Sequence, residues 1–213
     1  MGHKNICIYG GSFDPITYAH EMVLDKISNL NWIHEIWVVI CRCRNDKSLT
    51  EFHHRHNMFT IIINNSSKII KSKIFLKDLE SHSEMTPTYD LLKTQKELHP
   101  NYTFYFGLGS DLICDIFSWD EGEKLVLENA FIIIERGHFK IDESILKKFP
   151  KYYLINIPKL SFINFISSSE ARKFLTKEND INDIKKYIHP LTIDYIIKYN
   201  LYDFNLEHHH HHH

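Results

Sequence analysis

The chain has 213 residues, and its last eight, LEHHHHHH, form a vector-derived segment and purification tag. A hydrophobic content of 43% with seven glycines supports a packed core and excludes a largely disordered chain. The formal net charge of −2 excludes a broad basic surface for nucleic acid. This length suits one sizeable domain, or one domain with a small appendage.

The sequence also indicates where the protein works. No apolar stretch reaches the roughly 18 residues that span a bilayer, and no signal peptide is visible. The four cysteines, Cys7, Cys41, Cys43 and Cys114, lack the spacing of a zinc finger and are interpreted as reduced thiols. We therefore expect a cytoplasmic protein, with the nucleus as the alternative, and neither a membrane nor a nucleic-acid partner.

Six apolar runs predict β-strands, at residues 5–10, 35–40, 73–79, 103–109, 130–136 and 152–157. Four of these runs are apolar on both pleat faces, which is typical of parallel strands covered on both sides by helices. Segments with helical periodicity lie between the strands, at 19–30, 51–64, 88–98 and 120–128. This alternation predicts an α/β fold with a Rossmann-like, doubly wound, mainly parallel sheet of about six strands.

The pattern changes after residue 158, where SFINFISSSEARKFL and INDIKKYIHPLTIDYIIKYNLY predict short helices without further strands. We therefore predict a Rossmann-like domain over residues 1–158 and a small C-terminal helical subdomain over residues 159–205, followed by the tag at 206–213.

The stretch GGSFDPITYAH, residues 10–20, joins the first strand to the first helix. Gly10 and Gly11 allow a ligand to approach the backbone closely, and a helix that begins near Thr17 presents free N–H groups to an anion. His20 lies in the first helical turn, where a nearby phosphate would favour the protonated ring. The alternative is a simple strand–turn–helix corner in which the histidine packs.

A second motif, ISSSEAR, spans residues 166–172. Ser167 and Glu170 have the spacing of a capping box, so a helix is expected to begin here. Ser168 and Ser169 then lie in its first turn and Arg172 follows closely, which makes a second candidate phosphate site. The alternative is a well-capped helix with a surface arginine.

The stretch GLGSD, residues 107–111, follows the fourth predicted strand. In a sheet of order 3-2-1-4-5 this strand lies beside the first, and ligands bind outside the carboxyl ends of such a pair. Asp111 is thus placed to accept hydrogen bonds from a ribose hydroxyl, or alternatively to cap the next short helix.

Together these motifs resemble the nucleotidyltransferase superfamily, with its T/H-x-G-H and I-S-S-T-x-x-R signatures. Within it, the chain most resembles the compact bacterial type of nicotinate/nicotinamide mononucleotide adenylyltransferase. EFHHRHNMF (51–59), TPTYDLL (86–92) and the tail KYIHPLTIDYIIKYNLY are similar to further segments of that family. The resemblance covers nearly the whole domain.

Some positions depart from the family pattern. Thr17 stands where many members have a first histidine, and Ala19 replaces the glycine before His20. CRCRNDK, residues 41–47, replaces a proline-rich segment, so Lys47 is either the family lysine near the triphosphate or a solvated loop residue.

The resemblance implies adenylyl transfer from ATP to nicotinate mononucleotide, or also to nicotinamide mononucleotide, with release of pyrophosphate. It implies that His20 and Arg172 are catalytic, and that Mg²⁺ binds through substrate phosphates without a protein metal site. The implied ATP-binding residues are Gly10, Gly11, Ser12, Phe13, Thr17, His20, Gly107, Gly109, Asp111, Ile166, Ser168, Ser169 and Arg172. The implied mononucleotide-binding residues are Ser12, Lys47, Arg55, Thr86, Thr88 and Trp119.

Two alternative functions remain open at this stage. One is another adenylyl- or cytidylyltransferase of the superfamily, such as phosphopantetheine adenylyltransferase, and the other is an inactive nucleotide-binding module. Homo-oligomer formation is also left open. His53, His54 and His56 are interpreted as a surface helix face rather than a metal site, because adjacent helical residues diverge by about 100°.

Overall fold

The structure, a computed structural model, describes residues 2–46, 48–136, 140–157, 167–176 and 181–204. Six strands form one sheet: β1 Lys4–Gly11, β2 Glu35–Ile40, β3 Ile74–Leu76, β4 Tyr102–Gly109, β5 Ala130–Glu135 and β6 Tyr152–Asn156. Their order is β3-β2-β1-β4-β5-β6, and every neighbouring pair is parallel. The predicted Rossmann-like sheet is confirmed, with β1 and β4 at the point where the strand order reverses.

The described residues also form α1 Tyr18–Ser28, α2 Phe52–Asn65, α3 Thr88–Leu98, α4 Gly122–Glu128, α5 Glu143–Leu146, α6 Ser168–Thr176, α7 Ile181–Ile184 and α8 Pro190–Lys198. Short 3₁₀ helices occupy Lys71–Lys73, Asp115–Ser118 and Leu201–Asp203. Among these described residues, no helix is both long enough and apolar enough to cross a bilayer.

Two apolar cores cover the two faces of the sheet. On one face, Cys7 of β1 packs with Ile27 of α1, Phe59 of α2 and Ile193 of α8. The other core combines residues such as Ile8, Leu92, Phe106 and Leu125, from β1, α3, β4 and α4. Each fully buried aliphatic side chain contributes about 1.5–3 kcal/mol to folding.

The C-terminal helices belong to the first of these cores. Ala171, Leu175, Ile188 and Ile196 are buried together with residues of β1, α1 and α2. The segment that carries the second motif is thereby placed on the α1 side of the sheet. The domain boundary predicted at residue 158 lies outside the described residues.

Strand β3 is shorter than the predicted run over residues 73–79. It is the edge strand, and Phe75 is 39% exposed. Just beyond it, Asp78 pairs with the Arg42 side chain at 2.9 Å and Glu80 accepts a hydrogen bond from the Arg42 backbone N–H at 2.9 Å. The side chains after β3 thus bind the segment that follows β2 instead of extending the strand.

Candidate active site

The phosphate loop, residues 10–17, leads from β1 into α1. Its Phe13 is 1% exposed and has a φ of 48°, a left-handed conformation that is unfavourable for a residue with a β-carbon. The ring offsets this strain by packing edge-on against Phe59 and His20, at centroid distances of 4.9 Å each. A β-carbon on Gly11 would lie 3.1 Å from the Phe13 ring, so this loop conformation favours glycine there.

Asp14, in the middle of the loop, is 2% exposed and precedes a cis peptide bond to Pro15. Its Oδ2 atom accepts the Thr50 backbone N–H at 3.0 Å, and its Oδ1 atom accepts the hydroxyl of Tyr202. Both carboxylate oxygens therefore bind protein groups, one before α2 and one in the C-terminal segment.

Arg55 of α2 is 1% exposed and lies behind the loop. Its Nη1 atom donates to the carbonyl oxygens of Ser12 at 3.0 Å and Cys41 at 2.6 Å, and its Nε atom donates to that of Thr50 at 2.7 Å. These three bonds join the loop, the segment after β2 and the start of α2. The guanidinium does not line the cavity described below, although the sequence predicts that it contacts the mononucleotide.

The second motif contacts the phosphate loop directly. Ser168 donates its hydroxyl to the Pro15 carbonyl at 2.8 Å, and Arg172 Nη1 donates to the Asp14 carbonyl at 2.6 Å. Arg172 Nη2 also donates to Ser169 Oγ at 3.1 Å. The two candidate phosphate motifs, far apart in sequence, are therefore joined at one point.

The first turn of α6 has the expected cap, since the Glu170 N–H donates to Ser167 Oγ at 3.1 Å. The helix begins at Ser168, so its free N–H groups lie beside the phosphate loop. Ile166, the first residue of the motif, lies outside the described residues.

His20 holds a defined tautomer. Its Nδ1 atom accepts the Thr17 backbone N–H at 3.0 Å, as the third residue of a capping box does. Burial, together with the nearby Arg136 charge, lowers the pKa of His20 to about 3. The ring is therefore neutral at pH 7 with its proton on Nε2. That a nearby phosphate favours the charged form stays a prediction.

Arg136 is a residue that the sequence interpretation missed. It follows β5, is 8% exposed, and its Nη1 atom lies 3.7 Å from Asp111 Oδ2. Within the described residues, three buried atoms here have no hydrogen-bond partner: Arg136 Nε, Asp111 Oδ1 and Ser12 Oγ. The position of Arg136 could have been predicted from the sequence, because an arginine directly after a buried parallel strand lies at the same sheet edge as the loop after β1.

The two glycines of GLGSD have different surroundings. A β-carbon on Gly109 would lie 2.5 Å from Asp111 Oδ1, so this glycine leaves room for the Asp111 side chain. At Gly107 the same substitution would meet Cys7 and Tyr9 at 3.4 Å, which places that side of Gly107 against the core.

A cavity of about 610 Å³ adjoins the phosphate loop. It brings together six residues of the implied mononucleotide and ATP sites from three segments: Gly10, Gly11 and Ser12 of the loop, Thr86 and Thr88 at the start of α3, and Trp119 beyond β4. Phe13, Thr17, His20, Asp111, Ser168, Ser169 and Arg172 do not line it. Lys47 lies outside the described residues.

Charged side chains line the same cavity. Arg44 pairs with Asp46 at 2.7 Å, and Glu80, Asp115 and Asp120 add carboxylates. Burial raises the pKa of Glu80, which favours its protonated form. Arg44, also missed from the sequence, is the described basic residue nearest in sequence to Lys47 on this wall.

The three histidines at the start of α2, which the sequence predicts to form a surface face, are not equally exposed. His53 is exposed, but the Nδ1 atom of His54 lies 2.8 Å from the Tyr195 hydroxyl of α8. Possible ligand atoms of Glu51, His53 and His54 lie within 4.8 Å of one another.

Comparisons with known proteins agree with this geometry. A sequence profile of the cytidylyltransferase-like family matches residues 8–174. A probable nicotinate-nucleotide adenylyltransferase of Acholeplasma laidlawii is 29% identical over 194 residues, covering 86% of this chain and 94% of the relative. One from Clostridium tetani is 27% identical over 209 residues, covering 93% and 99%.

Solved structures are similar as well. The nicotinic acid mononucleotide adenylyltransferase of Plasmodium falciparum, complexed with APC, superposes with a TM-score of 0.91 at 98% identity and covers 96% of this chain and 100% of that one. A putative nicotinate-nucleotide adenylyltransferase from Vibrio parahaemolyticus, at 19% identity and a TM-score of 0.62, shares the fold over 95% of this chain and 98% of its own. The chain belongs to the cytidylyltransferase-like family and, within it, to the nicotinic acid mononucleotide adenylyltransferases.

Proposed function

We propose that the protein transfers the adenylyl group of ATP to nicotinate mononucleotide, forming deamido-NAD and pyrophosphate. The observation that carries this proposal is the direct docking of ISSSEAR on the phosphate loop through Arg172 and Ser168. The phosphate loop, one of these two candidate phosphate motifs, adjoins a cavity lined by Thr86, Thr88 and Trp119. The arrangement suits two phosphate-bearing substrates that meet at the loop.

ATP binds across the carboxyl ends of β1, β4 and β5 in this proposal. The N–H groups of Ser168 and Ser169 at the start of α6 receive the phosphates, together with Arg172 and with Arg136 Nε, which has no hydrogen-bond partner among the described residues. At the start of α1, the Tyr18 N–H already donates to the Tyr187 carbonyl at 2.9 Å. Asp111 Oδ1, which also lacks a hydrogen-bond partner in the described part of the chain, accepts a ribose hydroxyl. In the structure the Ser168 hydroxyl donates to Pro15, so Ser168 contributes its position in the first turn rather than a free hydroxyl.

The mononucleotide occupies the neighbouring cavity. The start of α3 at Thr88 presents the positive end of the helix, which favours the nicotinate carboxylate over an amide. Trp119 offers a flat face for the pyridine ring, and its edge-on contact with Phe106, at 6.4 Å and 86°, holds the indole in place. Arg55 does not contact the substrate in this proposal, because it supports the loop from behind.

The mononucleotide phosphate attacks the α-phosphorus of ATP in line, and pyrophosphate leaves. This phosphate is already an anion at neutral pH, so the site needs no general base. Rate enhancement then comes from positioning and from donors aimed at the phosphate oxygens where charge develops. Neutral His20 donates its Nε2–H to these oxygens, while Arg172 stabilises the leaving pyrophosphate.

Mg²⁺ fits this site as an ion held by substrate phosphates and water. Both oxygens of the buried Asp14 are occupied by Thr50 and Tyr202, so that carboxylate is not a free ligand. Mg²⁺ commonly keeps several waters and binds phosphates in such sites. When bound, it neutralises part of the phosphate charge.

Product analysis tests the proposal. The protein is incubated with ATP and Mg²⁺ and with either nicotinate mononucleotide or phosphopantetheine, and pyrophosphate and adenylylated product are measured. We expect pyrophosphate and a dinucleotide with the mononucleotide only. Pyrophosphate release with phosphopantetheine would favour a phosphopantetheine adenylyltransferase. ATP binding without pyrophosphate release in either reaction would favour an inactive nucleotide-binding module.

A further inference from the structure

The C-terminal segment contributes a side chain to the phosphate loop. Tyr202, in the 3₁₀ helix after α8, donates its hydroxyl to Asp14 Oδ1, a residue 188 positions earlier. We propose that Tyr202 is a positioning residue for adenylyl transfer, acting through Asp14 on the guanidinium of Arg172. This inference rests on the function proposed above and adds a residue that touches neither substrate.

The connection between Tyr202 and Arg172 runs through one buried residue. Asp14 accepts Tyr202 on its side chain and Arg172 Nη1 on its carbonyl, the latter at 2.6 Å. Its second carboxylate oxygen accepts the Thr50 N–H at 3.0 Å. A shift of Asp14 would therefore shift the atom that holds Arg172.

Loss of the Tyr202 hydroxyl would leave Asp14 Oδ1 without a donor at a site that is 2% exposed. A buried carboxylate oxygen without a partner is unfavourable, so a nearby cation would be drawn to it. Arg55 already donates to three backbone carbonyls, whereas Arg172 is half-buried and lies close enough to influence the pKa of Tyr202. We expect Arg172 to turn toward the carboxylate and away from the ATP phosphates.

The backbone around Tyr202 is held in an unusual conformation. Asn200, Tyr202 and Asp203 have φ values of 52°, 60° and 54°, and none of them is glycine. Such left-handed residues persist where surrounding contacts stabilise them, and they concentrate at functional sites. The buried side chains of Leu201 and Phe204 anchor the turn on either side, which directs Tyr202 inward.

The hydroxyl is also fixed as a donor. Burial and the adjacent Asp14 raise the pKa of Tyr202, so the phenol keeps its proton at every pH at which the enzyme would be assayed. Tyr202 can therefore stabilise the carboxylate without adding charge beneath the loop.

Tyr202→Phe tests the inference, with Tyr195→Phe as the matched control. The Tyr195 hydroxyl bonds to His54 at 2.8 Å and Asn57 at 3.0 Å, both in α2. The control therefore loses the hydrogen bonds of a C-terminal tyrosine hydroxyl, as Tyr202→Phe does, but at α2 instead of the phosphate loop. We expect Tyr202→Phe to lower kcat/KM for ATP roughly tenfold, with the KM for nicotinate mononucleotide changed less than twofold. Tyr195→Phe should change each constant less than twofold.

A double-mutant cycle with Arg172→Ala shows whether Tyr202 acts through Arg172. In that background, Tyr202→Phe should lower kcat/KM by less than a further twofold. Additive losses, equal changes in both KM values, or matching behaviour of the two tyrosine variants would each overturn the inference. If the wild-type protein releases no pyrophosphate, the proposed function itself fails instead.

Discussion

At the scale of single residues, His20 is the group whose chemical state the structure defines most sharply. Its Nδ1 atom is committed to the Thr17 N–H, so the neutral ring must carry its proton on Nε2. Thr17, which departs from the histidine of many relatives, still supplies the backbone that orients this ring. Threonine at position 17 is therefore compatible with the proposed role of one imidazole, that of His20.

Replacing that imidazole should affect the chemical step. We expect His20→Ala to lower kcat by roughly 10²–10³-fold, because one preorganised donor to the transition-state oxygens is lost. The dissociation constant for ATP should change little, since several backbone N–H groups and Arg172 remain. Steady-state kinetics and ATP titration check this, with His56→Ala on α2 as the control. Near-normal kcat in His20→Ala would remove His20 from catalysis.

The half-buried, neutral histidine also predicts a pH dependence of stability. The pKa of His20 falls from its ordinary value of 6.5 to about 3, so between these values the unfolded chain binds a proton that the folded protein does not. Its contribution to stability is complete above pH 6.5 and is lost as the pH falls toward 3. Between pH 6.5 and 5.5, the free energy of unfolding should fall by about 1 kcal/mol more in the wild type than in His20→Asn. Urea unfolding of both proteins at both pH values measures this. An equal fall in the free energy of unfolding in the two proteins would contradict the neutral state of His20.

At the scale of elements, Arg55 holds the phosphate loop to the segments after β2 and before α2. Replacing it with methionine keeps a long side chain but leaves three backbone carbonyls without their donor. We expect Arg55→Met to lower the free energy of unfolding by about 3–5 kcal/mol.

The control for that prediction is Arg44→Met. Arg44 forms a partly exposed ion pair with Asp46, and such pairs contribute little, so its loss should change stability by less than about 1 kcal/mol. Chemical denaturation of both variants gives the comparison. Similar losses of unfolding free energy in Arg55→Met and Arg44→Met would mean that Arg55 does not hold the loop.

The elements also show what a sequence can and cannot predict here. The bounds of β2 and α3 coincide with the predicted runs because their apolar patterns are strong and local. The sheet order predicts that GGSFDP and GLGSD face one crevice, whereas the direct contact of ISSSEAR with GGSFDP is seen only in the structure. The contacts of Arg55 and Tyr202 join distant segments, and no local pattern in the sequence records them. The position of Arg136 directly after β5, by contrast, is readable from the sequence.

At the scale of the whole molecule, three arginine side chains lie near the phosphate loop although the formal net charge of the chain is −2. Arg55 and Arg172 donate to backbone carbonyls of the phosphate loop, and Arg136 lies close enough to His20 to lower its pKa. The C-terminal helices complete this arrangement, because they supply both Arg172 and Tyr202. The sheet provides the crevice, and the C-terminal segment brings two side chains, Arg172 and Tyr202, into contact with the loop at its edge.

The most direct test of this account is a comparison of kcat/KM for nicotinate mononucleotide and nicotinamide mononucleotide, with ATP and Mg²⁺ at saturation. Pyrophosphate release and dinucleotide formation are followed together. We expect one dinucleotide for each pyrophosphate and a higher kcat/KM for the nicotinate form, because we propose that its carboxylate lies at the start of α3. A higher value for the nicotinamide form, or no turnover of either mononucleotide, would contradict it.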